Sequence, residues 1–100
     1  MQHPIEKAIL VGIITPRIRK VIAEEHLAEL QRLAETAGAI VTRTFMQRVQ
    51  AFNPATLIGE GKVSEIKTAL EEDEASLVIF DDDLSGSQVR NLEQRLPGIK

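Results

Sequence analysis

Gly59-Glu60-Gly61-Lys62 places two glycines, a carboxylate and a lysine within four consecutive positions. Glycines let a backbone present successive N–H groups, and a lysine beside such a turn at a helix start suits an anion. A nucleotide P-loop requires more: a glycine, four residues, then Gly-Lys-Ser/Thr directly after a strand. Here Val63 follows Lys62, Thr56 stands five positions ahead of Gly61, and no apolar strand runs straight into the segment. The segment is therefore not a P-loop. A glycine turn that starts a helix is the plainer reading, with Gly59, Gly61 and Lys62 as the candidates for nucleotide or anion binding.

Asp81-Asp82-Asp83 is the second chemical candidate, because clustered carboxylates at a strand end suit a hard divalent cation. Asp81 and Asp82 would be its ligands. A receiver-like site also needs acid at the end of the first strand, where Ile13-Ile14-Thr15 stands instead. A loop and capping role for these aspartates is favoured. Arg17, Arg19 and Lys20 form a small basic patch able to touch phosphate, although a solvated loop is the favoured reading. His3 and His26 are isolated, and Ser85 and Ser87 have no histidine in a triad pattern. With no cysteine, thiol nucleophiles, zinc-thiolate sites and disulfides are excluded. No nucleophile–base pair stands out, and no catalytic residue is expected.

These side chains need elements to hold them. Lys7 to Ile14 is apolar without alternation, the pattern of a strand buried on both faces, and Thr15-Pro16 stops it. Leu27, Leu30, Leu33, Ala34 and Ala37 recur at helical spacing, and Gly38 is placed to end that helix in the left-handed conformation. Ala39 to Gln47 is rich in β-branched residues and predicts a second strand. The irregular stretch 48–61 contains Asn53-Pro54, a turn signal, and is long for a βα connection. Val63, Ile66, Ala69 and Leu70 mark a second helix. The run Glu71-Glu72-Asp73-Glu74 is expected to be a solvated loop, since acid opposes the dipole at a helix end. Leu77 to Phe80 is a third strand. Ser85 and Gln88 match a capping box, and Val89, Leu92 and Leu96 give the third helix its buried stripe, with Asn91 on the same helix. Pro97-Gly98 ends it, and Ile99-Lys100 reads as the start of a fourth strand.

The expected fold is α/β: a small parallel sheet with helices on both faces, in βαβαβα order with a fourth strand just starting. One domain accounts for residues 1–100. Apolar residues make up 43% with only three aromatics, so the core must be aliphatic. Net charge is −3, split as +2 over residues 1–50 and −5 over 51–100, which argues against a broad nucleic-acid-binding surface. Met1-Gln2-His3-Pro4 does not resemble a signal peptide and no apolar run is long enough to span a bilayer, so a soluble cytoplasmic protein is expected.

Three blocks in this order resemble the amino-terminal region of HflX-type GTP-binding proteins. They are Leu27 to Val41; Gln47, Asn53-Pro54-Ala55-Thr56 and Leu57 to Ile66; and Leu77 to Glu93, with Ser85, Gln88 and Asn91 in the family motif. Asp83 and Gly86 depart from the glutamate and proline usual there, and both remain compatible with a helix cap. The resemblance implies an amino-terminal module followed by a helical hairpin and a GTPase domain, neither of which is in these 100 residues. It implies a cytoplasmic GTPase that binds the large ribosomal subunit, through rRNA and protein, and helps to split or rescue stalled ribosomes. GTP and Mg²⁺ would belong to the GTPase domain, which would be a further partner, and no cofactor is expected in this chain. An adenine-nucleotide interaction is also associated with the family's amino-terminal region. The alternative function is accordingly an ATP- or GTP-binding domain using Gly59, Gly61, Lys62 and the strand-end aspartates. An uncovered sheet edge would also give the isolated chain weak self-association.

Overall fold

A computed structural model describes residues 6–16, 18–48, 58–81 and 85–96. The elements are β1 (Lys7–Ile14), α1 (Lys20–Thr36), β2 (Ile40–Arg48), α2 (Glu60–Asp73), β3 (Leu77–Asp81) and α3 (Gly86–Glu93). The three strands pair in parallel in the order β2-β1-β3. The α/β class and βαβαβα order read from the sequence hold. The fourth strand expected at Ile99-Lys100 lies outside the described residues, as do Arg17, Asn53-Pro54, Asp82 and Asp83.

β1 is central and its side chains are buried on both faces from Ala8 to Ile14, which is why its apolar run does not alternate. Ile9, Val11 and Ile13 join Val78 and Phe80 of β3, Val63, Ile66, Ala69 and Leu70 of α2, and Leu92 and Leu96 beyond them in one mostly aliphatic core. On the opposite face, a Cβ added at Gly12 would meet Leu27 of α1. Helix α1 therefore covers one face, and α2 and α3 the other, as right-handed crossovers require when the chain steps from β1 outward to β2 and then back past β1 to β3.

Two details correct the sequence reading. Leu33 and Ala37 were expected on the buried stripe of α1. Leu33 is 58% exposed and Ala37 is also exposed; the seated residues are Ala23, Leu27 and Ala34. Among the described residues three strands lie beneath the helix, which covers sheet with one side of its stripe. The acidic run is also not a loop. α2 continues through Asp73, and Glu74 caps it with a left-handed φ of 53°. The Ala75 N–H donates to the Leu70 carbonyl at 2.9 Å, closing the last turn. The neighbour that helps to hold this end is Arg43 of β2. Its Nε and guanidinium nitrogen donate to the two Asp73 oxygens at 3.1 and 2.8 Å, with Glu72 at 3.8 Å.

That fork holds the Asp73 carboxyl below the usual aspartate value, chiefly through the Arg43 hydrogen bonds. Because folding lowers this pKa, the clamp stabilises fully above the ordinary value and is lost as pH falls through the lowered one. Urea midpoints of the protein and of its Asp73→Asn variant should therefore differ most near about pH 6 and converge below about pH 4. A gap that persists unchanged into acid would show that the pair does not contribute through its charge.

At α1 the expected glycine stop is present: Gly38 has φ +98°, and the Ala39 N–H donates to the Ala34 carbonyl at 3.0 Å.

Candidate functional site

In an open parallel sheet, ligands enter at the carboxyl ends of the strands where consecutive crossovers leave on opposite faces. Here that place lies between β1, whose chain departs into α1 on one face, and β3, whose chain departs into α3 on the other. Its described residues are Thr15, Pro16 and Ile18 after β1, and Asp81 at the end of β3. The Ile18 N–H donates to the Thr15 carbonyl at 3.1 Å, a tight turn that delivers α1.

Asp81 is paired in register with Gly12, and so its side chain points to the α1 face. There it lines a cavity of about 220 Å³ with His26, Glu29, Leu30 and Leu33. Among the described residues no group of three acidic, histidine or cysteine side chains is arranged to hold a metal ion. Asp82 lies outside the described residues.

The glycine turn sits elsewhere. Gly59 is the N-cap of α2 with extended backbone and no side-chain cap, and Glu60 occupies the first turn. A carboxylate there already answers the helix dipole, and Glu60 is itself ion-paired with Arg95. Lys62 pairs with Glu65 at 2.9 Å, and its ammonium lies 5.3 Å from the centre of the Phe45 ring. Phe45 is in register with Val11 and packs on the α2 face. Lys62 and Asp81 thus stand on opposite faces of the sheet, on either side of β1. The fold does not bring the glycine turn and the strand-end aspartate into one site.

At α3, the Gln88 N–H donates to Ser85 Oγ at 3.1 Å and the Ser85 N–H donates to Gln88 Oε1 at 2.9 Å. Both halves of a capping box are present, and Gln88 is buried in making it. Ser85 is thereby engaged in structure. Asn91 lies in the same helix and also has bonding partners.

Sequence reasoning missed Arg43–Asp73 and the Lys62–Phe45 stack. The first joins residues thirty positions apart, and no local pattern announces it. The available signal was an arginine flanked by threonines in the middle of the strand.

The described geometry is that of a parallel α/β module in which Ser85 and Gln88 form a cap and Arg43, Lys62 and Arg95 are engaged in ion pairs. Comparison with known proteins assigns that module. Residues 24–99 match the family model described as GTP-binding GTPase N-terminal. The chain is 45% identical over 95 residues to the GTPase HflX of Caldanaerobacter subterraneus subsp. tengcongensis, covering 95% of this chain and 21% of that protein. It is 39% identical over 89 residues to the GTPase HflX of Flavobacterium psychrophilum, covering 89% and 22%. With the GTPase HflX of Escherichia coli K12 the identity is 36% over 89 residues, covering 89% and 20%. The chain belongs to the HflX-type family of GTP-binding proteins, in the part its family model calls the GTPase N-terminal region. It spans about a fifth of the length of the curated relatives it matches.

Proposed function

We infer that residues 1–100 are the amino-terminal module of an HflX-like GTPase that binds the large ribosomal subunit and acts in splitting or rescuing ribosomes. The observation that carries this reading is the family relationship, which runs through nearly the whole chain. GTP and Mg²⁺ would be held by the GTPase domain of the longer protein, and this module would support and orient that domain in the cytoplasm. No described helix is long and apolar enough to cross a membrane.

A supporting module should carry surface meant for the rest of its chain, and α1 has such surface. Leu33 of α1 is exposed, and Ala34 and Ala37 of the same stretch line a cavity of about 350 Å³ with Leu77 and Ile79. The outer edge of β3 pairs with no strand among the described residues. Because α3 lies on the same face as α2, a right-handed crossover would lay the next strand on that edge. Continuing chain is the occupant this geometry suits. Without it, the 100-residue chain would self-associate weakly through the open edge.

The test is sedimentation of the 100-residue chain and of the full-length protein with purified large ribosomal subunits. Both pelleting would make the module a docking element in its own right. Pelleting of the full-length protein alone would make it a support. If neither pellets, ribosome binding is wrong. Isothermal titration with purine nucleotides decides the nucleotide-binding alternative: heat that disappears in Lys62→Ala would favour it over docking, and no heat removes it.

A further inference from the structure

The two ends of edge strand β2 stand in different electrostatic surroundings. Glu6 before β1, Glu35 in the last turn of α1, and Glu71, Glu72, Asp73 and Glu74 at the end of α2 all lie at the amino end of the sheet. Among the described residues Lys7 and Arg43 oppose them there, and Arg43 is taken up by Asp73 and Glu72. The carboxyl end of edge strand β2 is the reverse. Arg48 closes the strand in register with Ile14, and Arg19 and Lys20 begin α1 just beyond that end of β1. Lys20 lines a groove of about 480 Å³ with Thr44 and Met46 on one face of β2, where Glu24 is the acidic member. On the other face stands Lys62 over Phe45.

Six of the described cations, Lys7, Arg19, Lys20, Arg48, Lys67 and Arg90, enter no ion pair, and of these Arg19, Lys20 and Arg48 fall at the same end of β1 and β2. Arg32, Arg43, Lys62 and Arg95 each pair with a carboxylate. Arg19, Lys20 and Arg48 are exposed, and among the described residues they enter no ion pair. The first turn of α1 beside them has neither an acidic residue nor a side-chain cap, so its field adds to theirs. A polyanion approaching the amino end of the sheet is repelled, and one approaching this corner is not.

We propose that the corner formed by Arg19, Lys20 and Arg48 at the carboxyl end of β2 is the surface through which this module meets the RNA phosphate backbone. The proposal rests on the ribosome-docking reading and gives that docking an orientation: the β2 corner faces RNA, and the acidic end of α2 faces away. It predicts backbone contact without base selection, because long cationic side chains on an open corner read charge rather than base edges.

The experiment uses the full-length protein and a variant combining Arg19→Ala, Lys20→Ala and Arg48→Ala. Binding to intact large subunits and to protein-free large-subunit RNA is followed from 50 to 200 mM KCl. All three side chains are exposed, so circular dichroism and the thermal midpoint should match between the two proteins. Loss of three phosphate contacts should shrink the affinity drop across that salt range by about 20- to 40-fold on both ligands. Wild-type salt dependence in the variant overturns the proposal. So does a loss seen on intact subunits but absent on protein-free RNA, which would assign the corner, with exposed Val21 and Ile22 beside it, to a ribosomal protein. A wild-type protein that ignores subunits yet binds RNA through these three residues would sink the ribosome reading and leave the corner standing. Binding to neither ligand overturns both.

Discussion

Replacing Ile66 by alanine is expected to destabilise the fold by about 2–5 kcal/mol. Ile66 is fully buried in the middle of α2, in the core that it shares with Ile9 and Val11 of the central strand and Val78 of β3. Removing three carbons there forfeits their transfer energy and leaves a cavity that a parallel sheet held in register cannot collapse to fill. Small domains are stable by only about 5–15 kcal/mol, so this single change consumes a large share of the total. For a domain of this size it should lower the thermal midpoint by roughly 10–30 °C. Lys67→Ala, one position along on the exposed side of the same helix, serves as the control and should shift little. A drop of less than about 1 kcal/mol for Ile66→Ala would mean that α2 does not seat on the sheet as described.

The second large effect is expected from Gly12→Val. A Cβ at Gly12 would lie 2.7 Å from the Met46 sulfur and 3.3 Å from a Leu27 methyl. The Met46 thioether sits on an edge strand beside an open groove and can swing aside, so Gly12→Ala should be tolerated. Valine adds two γ-carbons that must also displace Leu27, which is packed between α1 and the sheet. Overpacking of this kind costs about 1–3 kcal/mol. The cause is checked by a double-mutant cycle: Met46→Ala should recover part of the loss in the valine background and none in the wild type. If the two changes simply add, the close approach of α1 to β1 at Gly12 is not the reason for the glycine. A lone glycine in a buried strand can mark close backbone approach, but nothing in β1 itself says what approaches.

These two positions show how differently the parts of the molecule can be read. The stripe Val63, Ile66, Ala69, Leu70 points to α2 because all four face the core, and helical spacing is a local property. For α1 the same kind of reasoning included Leu33, which the structure leaves exposed. A stripe records which residues could be buried; whether they are depends on how much sheet lies underneath, and that is set by the pairing of strands distant in sequence. The acidic run 71–74 failed for a related reason. Its local cost at a helix end is real, but Arg43 supplies a countercharge from β2 that only the folded chain brings near.

The candidate site divides along the same line. The capping box at Ser85 and Gln88 spans three positions, is satisfied locally, and needs no tertiary partner to be recognised. Gly59, Lys62 and Asp81 looked combinable only because each follows a strand or starts a helix. Register with β1 turns Asp81 towards α1, while Lys62 packs over Phe45 on the other face, and nothing in either segment's own residues encodes that separation.

The basic corner follows the same pattern. Arg19-Lys20 is visible as a pair of cations, but Arg48 is almost thirty positions away and joins them only because β2 pairs with β1 up to Ile14. The sequence by itself set the class of the fold, the glycine stop of α1, the capping box that starts α3, and the family, because capping residues, hydrophobic period and motif order act over a few neighbours. Parallel pairing and the crossover hand then determined which side chains share a face and which charges remain unpaired. Those outcomes depend on residues brought together across the sheet, and so they belong to the folded chain rather than to any segment of it.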